Sequence, residues 1–207
     1  MKIKCAWMYH DIMDLYGDKG NIMTLSKRAQ ARGIDFEVDT IGIGQEADLC
    51  QYDLCFMGGG ADKEQVALIP DLLKRKDNIH QAIAQNTFFF LICGGYQLFG
   101  QYYETVDHQK IEGVQVGSYY SLTGKDKSRC IGNVVCDANL DGIHLRLVGF
   151  ENHGGQTMNV EHPLGRVIQG NGNAFDAGME GYYDGHILGL IYMVHFYRKM
   201  ANLLILF

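Results

Sequence analysis

A short apolar run that ends at a cysteine constrains this sequence more than any other feature. The stretch "FFFLICGGYQLFG" covers residues 88–100. Its aromatic and branched residues predict a buried central strand, and "YQLF" predicts the first turn of a helix. Cys93 would then lie on a sharp strand-to-helix turn, with Gly94 and Gly95 supplying backbone freedom. This is the geometry of a nucleophile elbow with cysteine in place of serine, and the alternative is a small thiol that only packs in the core.

The rest of the first half alternates between strand-like and helix-like segments. "KIKCAWM", "DFEVDTI", "DLCFM" and "FFFLI" predict four strands. Residues 21–32 predict one helix, and residues 62–84 predict a helical region that breaks near Pro70. From Val114 onward the sequence favours short β runs with glycine-rich turns. The pattern predicts one α/β domain with a mostly parallel central sheet and an added β-rich layer.

Composition excludes several classes of function. A net charge of −6 and a pI near 5.7 argue against nucleic acid as a partner. No apolar run approaches the roughly 20 residues of a membrane span, and the N-terminus lacks a signal-peptide pattern, so we expect a cytoplasmic protein without a membrane span. The six cysteines form no C-x-x-C pair and no zinc-type spacing with histidine, so we expect free thiols and no metal site.

A second glycine-rich loop, "MGGGADKEQ", follows the predicted third strand. Unobstructed backbone N–H groups in such a loop suit an oxyanion hole or a phosphate cradle. The alternative is a tight turn into a helix with Asp62 as its N-cap. Beside an elbow cysteine the loop points to acyl transfer, because that chemistry needs a nucleophile and nearby donors together.

Several motifs in one order resemble a known family. "GGGADKEQ", "ICGGYQLFG", "RCIGNVV" and "GFENHGGQT" are similar to the class I glutamine amidotransferase domains of the cobyric-acid-synthase (CobB/CobQ) type. "LYGDKGNI" and "IGNVV" further resemble the glutaminase (GatD-type) subunits of lipid II isoglutaminyl synthases. The resemblance covers residues 2–189 and implies a three-layer α/β fold.

The resemblance also implies roles for individual residues. Cys93 would attack the γ-amide carbon of L-glutamine and release ammonia, and the position of Cys93 at a helix N-terminus would favour its thiolate. The oxyanion would be held by the N–H of Gly94 and by one from the other glycine loop, Gly59 or Gly60. Arg129, before "IGNVV", would grip a substrate carboxylate, unless it is only a surface arginine.

Other polar residues of these motifs have more modest expected roles. The resemblance does not make His153 the general base, and a histidine hydrogen-bonded within a glycine-rich turn is expected. Gln97 is expected to be structural. Asp18 and Lys19, in "YGDKGN", are either solvated or facing a partner subunit.

The implied assembly is a heterodimer with a Mur-ligase-like synthetase. That partner would carry ATP and Mg²⁺, and this subunit would need no cofactor of its own. The ammonia would amidate the D-glutamate of the lipid II stem peptide in peptidoglycan synthesis. Two alternatives remain: an amidotransferase for another acceptor, such as a corrinoid, or a non-catalytic binding subunit in which no base reaches Cys93.

The C-terminus departs from the family. The family's base is the histidine of a "GTYLHGP" motif after the last strand, but after Gly189 this chain reads "LIYMVHFYRKMANLLILF". Met193 stands at the aligned position, and His195 lies two residues later. We therefore expect a domain over residues 1–189 and an atypical tail over residues 190–207. His195 could act as the base only if this tail brought it within about 3 Å of the sulfur.

The tail has an explanation in the genetic code. Codons for Leu-Ile-Tyr-Met-Val-His, read from the last base of the Gly189 codon, can encode Thr-Tyr-Leu-His-Gly-Pro, the family motif. We hypothesise that one nucleotide was lost near this codon. Resequencing the locus is expected to show that a single-base insertion restores the motif, and a locus that no such insertion restores would refute the hypothesis.

Overall fold

The computed structural model describes residues 1–15, 17–123 and 128–193. The strands, numbered in chain order, are β1 Lys2–Met8, β2 Asp35–Ile41, β3 Leu54–Met57, β4 Phe88–Ile92, β5 Tyr102–Glu104, β6 Lys110–Glu112, β7 Tyr120–Thr123, β8 Cys130–Leu140, β9 Ile143–His153, β10 Gly155–Met158, β11 Gly165–Gln169, β12 Met179–Glu180, β13 Tyr182–Tyr183 and β14 Ile187–Leu190. The helices are α1 Lys19–Gln30, α2 Asp62–Lys74, α3 Lys76–Ala84 and α4 Gly94–Phe99, with a 3₁₀ turn at Leu49–Gln51.

A six-stranded sheet in the order β13-β14-β4-β3-β1-β2 forms the centre of the protein. All neighbours are parallel except β13 and β14, which confirms the prediction of a mostly parallel sheet. The predicted strands coincide with β1, β2 and β4, and β3 begins one residue later than predicted.

The middle of this sheet is buried on both faces. Residues 89–92 of β4 are each at most 1% exposed, and every residue of β3 is buried. The Phe56 and Phe90 rings of the two strands lie 5.3 Å apart. Continuous apolar runs are typical of parallel strands that are covered on both sides, so the sequence pattern and the strand position agree.

The helical region after β3 divides at a different place from the one predicted. α2 continues through Pro70 and ends at Lys74, and the break falls at Arg75. The Arg75 side chain bonds to the carboxylate of Asp71 and to the carbonyl oxygen of Gln45. The prediction of a break near Pro70 was therefore wrong, because tertiary bonds at Arg75 set the boundary.

The β-rich part consists of two four-stranded sheets, ordered β10-β7-β5-β6 and β12-β11-β8-β9. β8 and β9 form a hairpin with 11 residues in each strand, longer than the short runs that were predicted. Its turn is Asp141–Gly142, with φ angles of 50° and 87°. Positive φ at both central residues is typical of the tight turns that match strand twist. The open end of the hairpin, where Cys130 pairs with His153, lies at the candidate site.

The order of the central strands determines where that site forms. The carboxyl ends of β14, β4, β3 and β1 lie side by side, so the loops that follow β1, β3 and β4 meet at one edge. The predicted boundary at Gly189 falls inside β14, and the chain stays buried through Met193. The described part of the chain contains no helix long and apolar enough to cross a membrane.

Candidate active site

Cys93 lies on the turn between β4 and α4, as the sequence predicts. Its φ is 49° and its ψ is −110°, a positive φ that is uncommon for any residue other than glycine. Its N–H donates to the carbonyl oxygen of Leu190 at 2.7 Å, and its own carbonyl oxygen accepts from Gln97 N at 3.0 Å. These bonds hold the backbone in the conformation of a nucleophile elbow.

The glycines after Cys93 were predicted to supply backbone freedom at the turn. Their role is instead to let two loops pack closely against each other. The positive φ belongs to Cys93 itself, and both glycines lie in α4. The N–H of Gly95 donates to the carbonyl oxygen of Gly58 at 3.2 Å. A Cβ on Gly95 would lie 2.8 Å from that oxygen and 2.8 Å from the carbonyl oxygen of Met57. Only glycine allows the two loops to come this close.

The predicted oxyanion donors are not equivalent. The N–H of Gly94 bonds to the Cys93 sulfur and lowers the pKa of its thiol. A Cβ on Gly94 would lie 3.3 Å from the N of Gly60, so the backbones of Gly94 and Gly60 are adjacent. The N–H of Gly59 instead donates to Asp18 Oδ2 at 3.1 Å. The structure thus brings Gly60 and Gly94 together and leaves the Gly59 donor engaged.

A cavity of about 360 Å³ opens beside the sulfur. Its lining includes Cys93, Gly60, Gln65, Gln97, Arg129 and His153. A larger cavity of about 590 Å³ lies along the β8–β9 hairpin and is lined by residues 137–139 and 144–146. Chemistry favours the smaller cavity, because it contains the candidate nucleophile and its donors.

Arg129 reaches this cavity from the segment before β8. Its Nε and Nη2 bond to Asn152 Oδ1 at 3.1 and 3.0 Å, and Nη2 also bonds to the Asn152 carbonyl oxygen at 2.9 Å. Within the described ranges, no carboxylate forms an ion pair with Arg129. A guanidinium held by an amide therefore faces the cavity and can accept a carboxylate ligand.

His153 is hydrogen-bonded within the turn, as the sequence predicts. Its Nδ1 lies 2.8 Å from the carbonyl oxygen of Gly155. Because a carbonyl oxygen can only accept, Nδ1 carries the proton and Nε2 is unprotonated. Burial lowers the pKa of His153, so its ring is neutral near pH 7.

The thiol of Cys93 is protonated at neutral pH. Burial, and to a smaller extent the neighbouring charge of Asp18, raise its pKa to about 12. The N–H of Gly94 and the charge of Arg129 act in the opposite direction and do not compensate. The expected thiolate at a helix N-terminus is thus absent from this conformation, because desolvation outweighs the backbone donor.

Met193, which is expected at the position of the family's base, has a buried side chain. Met193 is 8% exposed and pairs with Phe150 through N–H to carbonyl bonds of 3.0 and 3.2 Å. A thioether neither accepts nor delivers a proton near neutral pH. His195 lies outside the described residues.

Sequence reasoning missed Gln65 and did not place Asp18 or Gln97 in the site. Asp18 is 3% exposed and bonds to the loop after β3, so it is not solvated. Gln65 donates to the carbonyl oxygen of Gly60 at 2.9 Å and braces that loop. Gln97, expected to be structural, lines the cavity, and its Nε2 has no hydrogen-bond partner among the described residues. The available signal for Asp18 was its place in the loop after β1, because β1 lies next to β3 in the sheet and the loops after both strands meet at one edge.

The sequence matches the CobB/CobQ-like glutamine amidotransferase domain over residues 4–199. The chain belongs to this family. It is therefore a glutamine amidotransferase, with the fold class that the sequence predicts.

Two relatives carry a more specific name. The chain is 34% identical over 205 residues to the lipid II isoglutaminyl synthase (glutamine-hydrolyzing) subunit GatD of Streptococcus pneumoniae, covering 98% of this chain and 77% of the relative. It is 36% identical over 185 residues to the GatD subunit of Staphylococcus aureus, covering 88% and 74%. A crystal structure of a glutamine amidotransferase shares the fold, with a TM-score of 0.59, 8% identity, and 96% and 97% coverage.

His153 predicts a specific pH dependence of stability. Its folded-state pKa lies below 6.5, so as pH falls below 6.5 the unfolded state gains a proton that the folded state does not. This reduces the free energy of unfolding by up to about 1.4 kcal/mol per pH unit until the folded-state pKa is reached. Urea unfolding of His153→Gln at pH 7.5 and 5.5 is expected to show a smaller loss than the parent chain. The control is His144→Gln, an exposed histidine on the same strand, and equal losses in both variants would contradict the prediction.

Proposed function

We propose that this glutamine amidotransferase is the glutaminase subunit of a lipid II isoglutaminyl synthase. It would hydrolyse L-glutamine and supply ammonia to a Mur-ligase-like synthetase partner in a cytoplasmic heterodimer. That partner would use ATP and Mg²⁺ to amidate the D-glutamate of the lipid II stem peptide. The names of the two relatives support this acceptor, and their coverage of nearly the whole chain supports the subunit role.

One observation carries the chemical part of the proposal: Cys93 stands on a strained elbow with two backbone donors and a guanidinium around one cavity. Acyl transfer requires a nucleophile, stabilisation of the developing oxyanion and a group that binds the substrate. Cys93, the N–H groups of Gly60 and Gly94, and Arg129 supply these three functions.

In the first step the Cys93 sulfur would attack the γ-amide carbon of glutamine. The carbonyl oxygen becomes an oxyanion, which the N–H groups of Gly60 and Gly94 stabilise. Collapse of this intermediate breaks the C–N bond, and the nitrogen leaves as ammonia after gaining a proton. Water then attacks the glutamyl thioester and releases glutamate and the free thiol.

Proton transfer is the demanding part of this reaction in the present chain. The thiol has to lose a proton that burial holds on the sulfur. One histidine can remove this proton and later deliver it to the departing nitrogen. Met193, at the aligned position, does neither, which favours impaired catalysis by this sequence as it stands.

We expect the 207-residue chain to release little or no ammonia with its synthetase partner. A version with the reading frame restored after Gly189 is expected to release ammonia from glutamine, because it regains the base. The measurement is glutamate dehydrogenase-coupled ammonia release, with Cys93→Ser in the restored chain as the inactive control. Equal rates for the two chains would mean that His195 or another group serves as the base. Transfer of ¹⁵N from amide-labelled glutamine to lipid II tests the acceptor.

Replacing Arg129 tests whether its guanidinium binds the carboxylate of glutamine. In the frame-restored complex, Arg129→Ala is expected to lower kcat/KM for glutamine by about 2–4 kcal/mol in transition-state free energy, because a charge-assisted pair is lost. Arg129→Lys should retain part of the activity, since it keeps the charge but not the planar fork. The matched control is Arg146→Ala, an exposed arginine of the same hairpin that pairs with Asp137. An unchanged kcat/KM in folded Arg129→Ala would make Arg129 an ordinary surface residue.

A further inference from the structure

The loop between β1 and α1 binds the two successive peptide groups that flank Gly59 in the glycine loop. Asp18 Oδ2 accepts from Gly59 N at 3.1 Å, and Leu15 N donates to the carbonyl oxygen of Gly59 at 3.1 Å. The N–H and the C=O of Gly59 are therefore both engaged by residues of this loop.

The Asp18 side chain is packed tightly in this place. It is 3% exposed, and its Cβ and Cγ would each lie 2.7 Å from a Cβ on Gly58. A Cβ on Gly59 would lie 3.8 Å from Asp18 Oδ2 and 3.9 Å from Cys93 Sγ. The carboxylate and the sulfur thus flank the same glycine, with no bulky side chain between them.

Several charged or titratable groups act on the sulfur from different elements. Asp18 and Glu180 disfavour the thiolate, and Arg129 favours it. The remaining titratable side chains around the cavity are Asp62, Lys63, Tyr103 and His153. Asp18 has the largest electrostatic effect of a charged residue on the thiol. Removal of its charge should therefore change the reactivity of Cys93 more than removal of any other charge in the site.

We propose that Asp18 is a positioning residue that keeps this site at rest, because its carboxylate engages one backbone donor of the oxyanion loop and places a negative charge beside the sulfur. Movement of the Asp18 carboxylate away from Gly59 would free a third N–H at the glycine loop and weaken one of the influences that disfavour the thiolate. This regulation rests on the proposed role of Cys93 as the nucleophile.

The test measures Cys93 alone and needs neither glutamine nor the partner. The full chain is treated with iodoacetamide between pH 7 and pH 10, and alkylation of the Cys93 peptide is followed by mass spectrometry. Asp18→Asn removes the charge at constant shape. It is expected to raise the alkylation rate at pH 8 by about three- to tenfold and to move the pH profile to lower pH, since one pKa unit is a tenfold change in thiolate.

The control is Asp14→Asn, which removes the same charge from the same loop. The Asp14 carboxylate accepts from Lys19 N at 2.7 Å, and in the described part of the chain it has no hydrogen bond to the glycine loop. Its profile should match that of the parent chain. Asp18→Ala, which also frees Gly59 and removes the charge, is the second variant if Asp18→Asn does not fold, and its Cys93 should be alkylated faster than that of the parent.

Unchanged or slower alkylation of folded Asp18 variants would overturn the proposal and make Asp18 a simple brace. A faster Asp18→Asn combined with a restored complex that releases no ammonia would instead reject the proposed function. The two failures are therefore distinguishable.

Discussion

The close approach of two backbones at the edge of the sheet determines the rest of the site. β3 and β4 are parallel neighbours, so their C-terminal loops begin only about 4.8 Å apart. The bond from Gly95 N to the Gly58 carbonyl oxygen joins these loops, and a side chain on Gly95 would collide with it. This contact keeps the backbone donors beside the sulfur. Because β1 is the next strand, its loop packs against the same glycines and brings Asp18 to them.

The features that sequence predicted are those with local causes. The buried run of β4 and the turn at Cys93 are encoded by adjacent residues, so both could be placed without a structure. Asp18 bonds to a residue 41 positions away, and nothing in "YGDKGN" indicates that partner. The break at Arg75 depends on Gln45, 30 positions away, while the local signal was Pro70. Contacts of this kind follow from strand order, which one sequence specifies only indirectly.

The protonation state of Cys93 was likewise not predictable from the neighbouring residues in the sequence. A helix N-terminus argues for a thiolate, and the Gly94 N–H does act in that direction. The amount of water removed from the sulfur depends on all the surrounding elements, and here desolvation is the largest influence. A site of this type holds its nucleophile as an unreactive thiol until a base accepts the proton.

The pairing of Met193 with Phe150 joins the β8–β9 hairpin to the segment that follows β14. Phe150 belongs to the hairpin whose open end carries Asn152 and His153, with Arg129 beside it. Met193 follows β14, whose Leu190 carbonyl oxygen accepts from Cys93 N. The two backbone hydrogen bonds couple these parts, so a movement of one displaces the other. A change in hairpin twist would therefore shift Arg129 and Met193 together. Substitutions in the two regions should not behave independently, and their effects on binding and turnover would be coupled energetically.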